Sequence, residues 1–216
     1  MSGLFITLEG IDGCGKSTQA RLLADWLQGE GHCVRLTREP GGTEAGEAIR
    51  DLLLSRDRSI PAEAELFLYL ADRALHVAEV IRPALARGCL VVCERYGDST
   101  LAYQGYGRGL DLDLLRRLDA LATGGVEPDL TLVLDLPSGQ ARLDGERLDR
   151  LESEGREFRQ RVAEGFRKLA RAEPQRIKLV DGRPAVHIVQ AQVTELVRGL
   201  LAEERRPPGA SQREAP

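Results

Sequence analysis

The octapeptide Gly10-Ile11-Asp12-Gly13-Cys14-Gly15-Lys16-Ser17 constrains this chain more than any other feature. It matches Gly-x-x-x-x-Gly-Lys-Ser/Thr in full and lies between a predicted strand and a predicted helix. The apolar run Leu4 to Glu9 ends at its first glycine, and a periodic helical stretch from Lys16 to about Glu30 follows at once. Glycines at these positions let backbone N–H groups fold around the β- and γ-phosphates of a nucleotide, and the helix N-terminus adds positive potential. Lys16 neutralises phosphate oxygens as charge moves, and the Ser17 hydroxyl is a ligand suited to Mg²⁺. Gly10 through Thr18 are therefore the expected ATP-binding residues. Asp12 stands apart, because a carboxylate inside an anion-binding loop is repelled unless it points away; a sugar hydroxyl of a second substrate is its expected partner.

The alternation begun by this unit continues along the chain. Strands are predicted at Cys33 to Thr37, Leu90 to Cys93, Leu130 to Leu136 and Arg176 to Val180. Helices are predicted from the Glu39-Pro40-Gly41-Gly42 turn through Leu54, and over Pro61 to about Arg87, Asp111 to about Ala122, Glu154 to Ala172, and Pro184 to Leu201. The Gly- and Tyr-rich stretch up to Gly109 reads as a loop. Short apolar strands separated by helices imply right-handed crossovers, so the expected fold is an α/β three-layer sandwich: a parallel five-stranded sheet covered by helices on both faces, the P-loop NTPase arrangement. A single domain is expected over 1–203, with a lid at about 138–152 and a polar, disordered tail at 204–216.

Composition removes several partners. A net charge of −4 gives no basic footprint for a nucleic-acid polymer, and no run approaches the ~20 apolar residues of a membrane span. Cys14, Cys33, Cys89 and Cys93 show no Cys-x-x-Cys spacing and have no histidines nearby, so they read as reduced thiols in a cytoplasmic protein. A guanine-reading Asn-Lys-x-Asp is absent, which argues against a GTPase. Leu136-Pro137-Ser138-Gly139-Gln140 is too degraded to be the Leu-Ser-Gly-Gly-Gln signature of transporter ATPases. Small size and an arginine-studded segment from Gln140 to Arg150 suit a kinase that closes over two nucleotides.

Further motifs carry a family resemblance over roughly Leu4 to Leu200. Thr37-Arg38-Glu39-Pro40-Gly41-Gly42-Thr43, Glu94-Arg95-Tyr96, Ala102-Tyr103-Gln104-Gly105 with Gly107-Arg108-Gly109, and Asp149-Arg150-Leu151-Glu152 follow the phosphate loop in order. Together they resemble the thymidylate kinases of the bacterial kind. The resemblance implies ATP-dependent phosphorylation of dTMP to dTDP, a step toward dTTP, by a homodimer using Mg²⁺. The alternatives are a kinase for another nucleoside monophosphate or a nucleoside, and a nucleotide-switch ATPase.

By that resemblance Arg50 and Arg95 clamp the acceptor phosphate, since guanidinium supplies planar, bidentate donors. Tyr69 and Arg73 stand four apart on a predicted helix and so share a face, where a ring stacks on thymine beside a guanidinium that donates to a carbonyl oxygen. The family has phenylalanine where Tyr69 stands, so the added hydroxyl needs a partner. Glu39, Ser99, Thr100 and Gln104 resemble polar residues around the acceptor, and Tyr103 a ring placed where a ribose 2′-OH would collide. Glu94 replaces the family's more frequent aspartate and is assigned with Ser17 to Mg²⁺, through water. The loop has no arginine at Asp12 to Cys14, so catalytic charge beyond Lys16 and Arg95 is expected from lid residues Arg142 or Arg147. Adenine is expected against the loop that carries Arg183.

Overall fold

A computed structural model describes residues 3–57, 59–140, 150–151 and 154–204. Its strands are β1 (Phe5–Glu9), β2 (Val34–Arg38), β3 (Leu90–Glu94), β4 (Leu130–Asp135) and β5 (Ile177–Asp181). They form the expected parallel five-stranded sheet, and its order is β2-β3-β1-β4-β5. Because β1 is central, with β3 on one side and β4 on the other, its C-terminal end opens into the crevice where doubly wound sheets take ligands.

Strand residues alternate between two apolar clusters, which is how a sheet covered on both faces must read. Ile6, Leu8, Leu90 and Val92 pack with Leu23 and Leu27 of α1 (Lys16–Gly29). Phe5, Val91 and Cys93 point the other way, onto Val77, Ile81 and Ala84. Besides their backbone ladder, β1 and β4 are linked by a buried hydrogen bond of 2.8 Å between the Thr7 and Thr131 hydroxyls. The remaining helices are α2 (Glu44–Leu54), α3 (Ala62–His76), α4 (Arg82–Ala86), α5 (Gly97–Thr100), α6 (Leu112–Thr123), α7 (Arg156–Ala172) and α8 (Val186–Glu204). Thr43 and Asp111 cap α2 and α6, each side chain accepting from the amide three residues on. The long helix expected from Pro61 is continuous through α3 and α4 but widens to a π turn at Val77–Ile81. Pro83 lies just beyond and lacks the amide that a regular ladder would use there.

Two expectations are corrected. The stretch after β3 is no loop: α5 runs into a second π-helical segment, Leu101–Gly107. Its glycines serve close packing rather than turning, since a Cβ on Gly107 would sit 2.7 Å from the Phe158 ring of α7. The four cysteines are not all thiols either. Cys33 and Cys89 form a disulfide, while Cys14 and Cys93 are free and buried. The pair is 56 residues apart in sequence, and only the β2–β3 register brings the starts of the two strands together.

Candidate active site

At the end of β1 the chain turns through Gly10, whose φ of 133° and approach to the Leu134 carbonyl (2.7 Å from any added Cβ) admit only glycine. The loop then delivers Lys16 to the start of α1. Its ammonium is buried and donates to the Ile11 carbonyl at 2.8 Å, folded back onto the loop. Asp12, Gly13, Gly15, Lys16, Ser17 and Thr18 line a cavity of about 820 Å³; Gly10, Ile11 and Cys14 are buried behind them.

The other wall is built from β3 and the helices around it. Arg95 leaves β3 with φ 67°, the only non-glycine residue in the left-handed region among the described residues. Its guanidinium donates to the Asp12 carboxylate, to Tyr103 Oη and Ser99 Oγ at 3.1 Å each, and to the Gly10 carbonyl at 3.2 Å. Tyr103 Oη in turn donates to Asp12 at 2.8 Å, and Arg95 lies 4.9 Å above the Tyr103 ring. Asp12 lines the cavity with its carboxylate taken up by Arg95 and Tyr103. Burial pushes its carboxyl up, but Arg95, Lys16 and the Tyr103 hydroxyl outweigh burial and hold it below the usual carboxylate range.

Arg50 of α2 lines the same cavity and donates to the Pro40 carbonyl at 2.9 Å, after a cis Glu39-Pro40 peptide. Tyr69 and Arg73 reach it together, as their spacing requires. Only 1% of Arg73 is exposed: Nε donates to Glu39 at 2.8 Å, and Nη1 to Thr100 at 2.9 Å and Asp119 at 2.5 Å. Glu39 is also hydrogen-bonded to His76 Nδ1 at 2.9 Å, and His76 Nε2 to the Thr37 hydroxyl at 2.6 Å. Gln104 lines the cavity but its amide is spent on Glu65, at 2.7 Å. Glu94 completes the lining at the end of β3.

Of the three remaining expected residues, one is described and lies away from the cavity. Arg142 and Arg147 lie outside the described residues. Arg183 is exposed and donates to its near neighbour Asp181 at 2.7 and 2.8 Å, and it does not line the cavity. Arg150 at the far end of the lid segment is tied down, its guanidinium 2.6 Å from Glu65 and Nε donating to the Leu53 carbonyl at 2.9 Å.

Sequence reasoning passed over the carboxylates that brace this wall. Glu9, Glu65, Asp72 and Asp119 each have partners tens of residues away, which spacing alone does not reveal. One signal was present: Glu65, Tyr69 and Arg73 recur every four residues and share a helix face. Glu9, closing an otherwise apolar strand, was another.

Asp72 gives a testable pH dependence. It lies behind the Pro-Gly-Gly turn, where Oδ1 accepts from Gly41 N at 2.9 Å and Oδ2 is buried with no hydrogen-bond partner. Burial, then the neighbouring Glu39, push it up to about 7. The folded chain therefore keeps a proton that the unfolded chain releases near pH 4, and folding stability from this group falls as pH rises from about 4 to 7. Asp72→Asn removes that term, so its stability relative to the parent should rise by roughly 2 kcal/mol between pH 5 and pH 8. Urea unfolding at the two pH values checks this; a constant difference would refute it.

A parallel sheet with a phosphate loop at its central strand, facing a second wall of guanidinia across one cavity, is the arrangement of a phosphotransferase that passes a phosphoryl group between two bound substrates. Comparison with known proteins makes the class specific. The sequence model of the thymidylate kinase family matches residues 8–193. A thymidylate kinase of Synechococcus sp. (strain JA-2-3B'a(2-13)) is 53% identical over 198 residues, spanning 92% of this chain and 96% of that protein. That of Desulfovibrio desulfuricans is 49% identical, spanning 94% and 99%. The crystal structure of thymidylate kinase from Ehrlichia chaffeensis superposes with a TM-score of 0.77 at 35% identity, covering 92% of this chain and 99% of that one. The chain belongs to the thymidylate kinase family.

Proposed function

We propose that the cavity transfers the γ-phosphoryl group of ATP in line onto the phosphate of dTMP, giving ADP and dTDP. The observation that carries this is the shared cavity, in which Lys16 of the phosphate loop and the acceptor-side pair Arg50 and Arg95 line one space. ATP lies with its phosphates against Gly10 to Thr18, and the dTMP phosphate lies between the two arginines, displacing the Pro40 and Asp12 oxygens that hold them in the free chain. Thymine stacks on Tyr69 beside Arg73, with Thr100 and Gln104 close by. The acceptor is already an ionised phosphate, so catalysis here is alignment plus charge neutralisation, with no general base.

Ser17 and Glu94 suit Mg²⁺, because both are oxygen donors on the same cavity and the ion prefers one or two protein oxygens completed by phosphate and water. Bound there, the ion would neutralise phosphate charge. Among the described residues there is no cluster of three or more His, Cys, Asp or Glu that would hold a metal by itself. Arg142 or Arg147 supplies the further cation from the lid.

The assembly is a homodimer. Leu52 of α2, Phe67 of α3, and Leu114 and Leu121 of α6 are exposed on three helices that pack in series, α2 on α3 and α3 on α6, which gives an apolar face for a second copy. No helix among the described residues is long and apolar enough to cross a membrane. The cytoplasm is the assigned compartment, where Cys33–Cys89 would meet a reducing thiol pool.

Coupled ADP release over dTMP, dUMP, CMP, GMP and thymidine tests the acceptor. The expected result is fastest turnover with dTMP. Equal rates across the panel would remove the roles of Tyr69 and Arg73, and hydrolysis indifferent to any acceptor would remove the kinase reading.

A further inference from the structure

Glu9 is the last residue of β1, has no solvent exposure, and does not line the cavity. Its carboxylate nevertheless reaches across to the chain that follows β3. Oε1 accepts from Tyr96 N at 2.7 Å and Oε2 accepts from Ser99 Oγ at 2.5 Å. Ser99 Oγ in turn accepts from Arg95 Nη1 at 3.1 Å.

These bonds close around a strained residue. Arg95 carries the left-handed backbone, a conformation that persists in a non-glycine residue only where its surroundings over-determine it. Its own amide is fixed to the Leu8 carbonyl at 3.0 Å, and Glu9 fixes the next amide, so neighbouring residues of β1 hold both sides of the turn. The Tyr96 side chain supports the same point, with its ring edge-on to Phe5 at 4.8 Å and its hydroxyl donating to the Val126 carbonyl at 2.9 Å.

We propose that Glu9 is a positioning residue for the acceptor site: it locks the Arg95 turn and, through Ser99, aims the guanidinium at the acceptor phosphate. The inference rests on Arg95 as the ligand of that phosphate. Energetics point the same way. Burial, then the Asp98 carboxylate, push Glu9 up to about 7, against the opposing pull of the Ser99 hydroxyl, Arg95 and the Tyr96 amide. Asp98 is itself held by Arg176 at 2.7 and 2.9 Å and by the Thr131 hydroxyl at 3.0 Å. A carboxylate kept where burial and a like charge disfavour it serves something other than stability.

Glu9→Gln keeps the shape but removes the charge and the acceptor for the Ser99 hydroxyl. At pH 8 it should raise the KM for dTMP about tenfold, leave the KM for ATP within about twofold, and melt no lower than the parent. Should Glu9→Gln fail to fold, Glu9→Asp, which keeps the charge but is one methylene too short to span both partners, carries the same kinetic expectation. Arg95→Ala is measured alongside. If Arg95→Ala raises the KM for dTMP while folded Glu9 variants do not, the positioning role is wrong and the acceptor site stands. If Arg95→Ala leaves it unchanged, the underlying site reading falls and this inference with it. A loss shared equally by ATP and dTMP, or one that follows a lowered Tm, marks Glu9 as a purely structural residue and overturns the proposal.

Discussion

Lys16→Ala is expected to lower turnover by about 10³-fold or more while the protein remains folded. The ammonium is the one cation that the phosphate loop itself delivers, and in the free chain its hydrogen bond to the Ile11 carbonyl keeps it folded back onto the loop. That internal bond is worth about 1 kcal/mol, which for a chain of 216 residues corresponds to a melting shift of about 2–4 °C. Single-turnover transfer from labelled ATP, run beside a thermal melt, separates the two effects. Transfer within tenfold of the parent would show that Lys16 is not the γ-phosphate cation.

Arg95→Ala should raise the KM for dTMP by about 10²–10³, the scale of removing one member of a buried, hydrogen-bonded charge pair. The substitution acts twice. It deletes the donors proposed for the acceptor phosphate, and it takes from the Asp12 carboxylate the cation that offsets its charge beside an incoming anion. Arg95→Lys should recover little, because one ammonium cannot reach Asp12, Tyr103, Ser99 and the Gly10 carbonyl together. Initial rates across a dTMP series at saturating ATP give the answer. A lysine variant equal to the parent would mean that point charge, not the planar fork, is what the acceptor needs.

Much of the fold was legible because its signals are local. Apolar runs such as Leu130 to Leu134, helical periodicity and the glycine loop each mark an element without reference to the rest of the chain. The stretch from Gly97 to Gly107 was misjudged because composition spoke for a loop, whereas packing decided for a helix: Gly107 lies under Phe158, and Asp98, Ser99 and Thr100 are buried. Tyr69 and Arg73 were legible as a pair for the same local reason, four residues being one helical turn. Glu39 with His76, Glu65 with Gln104, and Cys33 with Cys89 were not, since strand order and helix packing create those pairs. Arg150 could be numbered from its motif, but its tether to Glu65 and Leu53 belongs to the folded chain alone.

The three guanidinia proposed for the acceptor already have oxygen neighbours supplied by the chain: Arg95 has Asp12, Arg73 has Glu39, and Arg50 has the Pro40 carbonyl. On the proposed reading, a substrate arriving at Arg95 or Arg50 trades places with an existing partner and gains only the difference between old and new contacts. Small anions of the cell, which fill one position without bridging several, gain least from that trade. The same reciprocity favours departure of the product, because the carboxylate and carbonyl that stepped aside stand ready to retake their places.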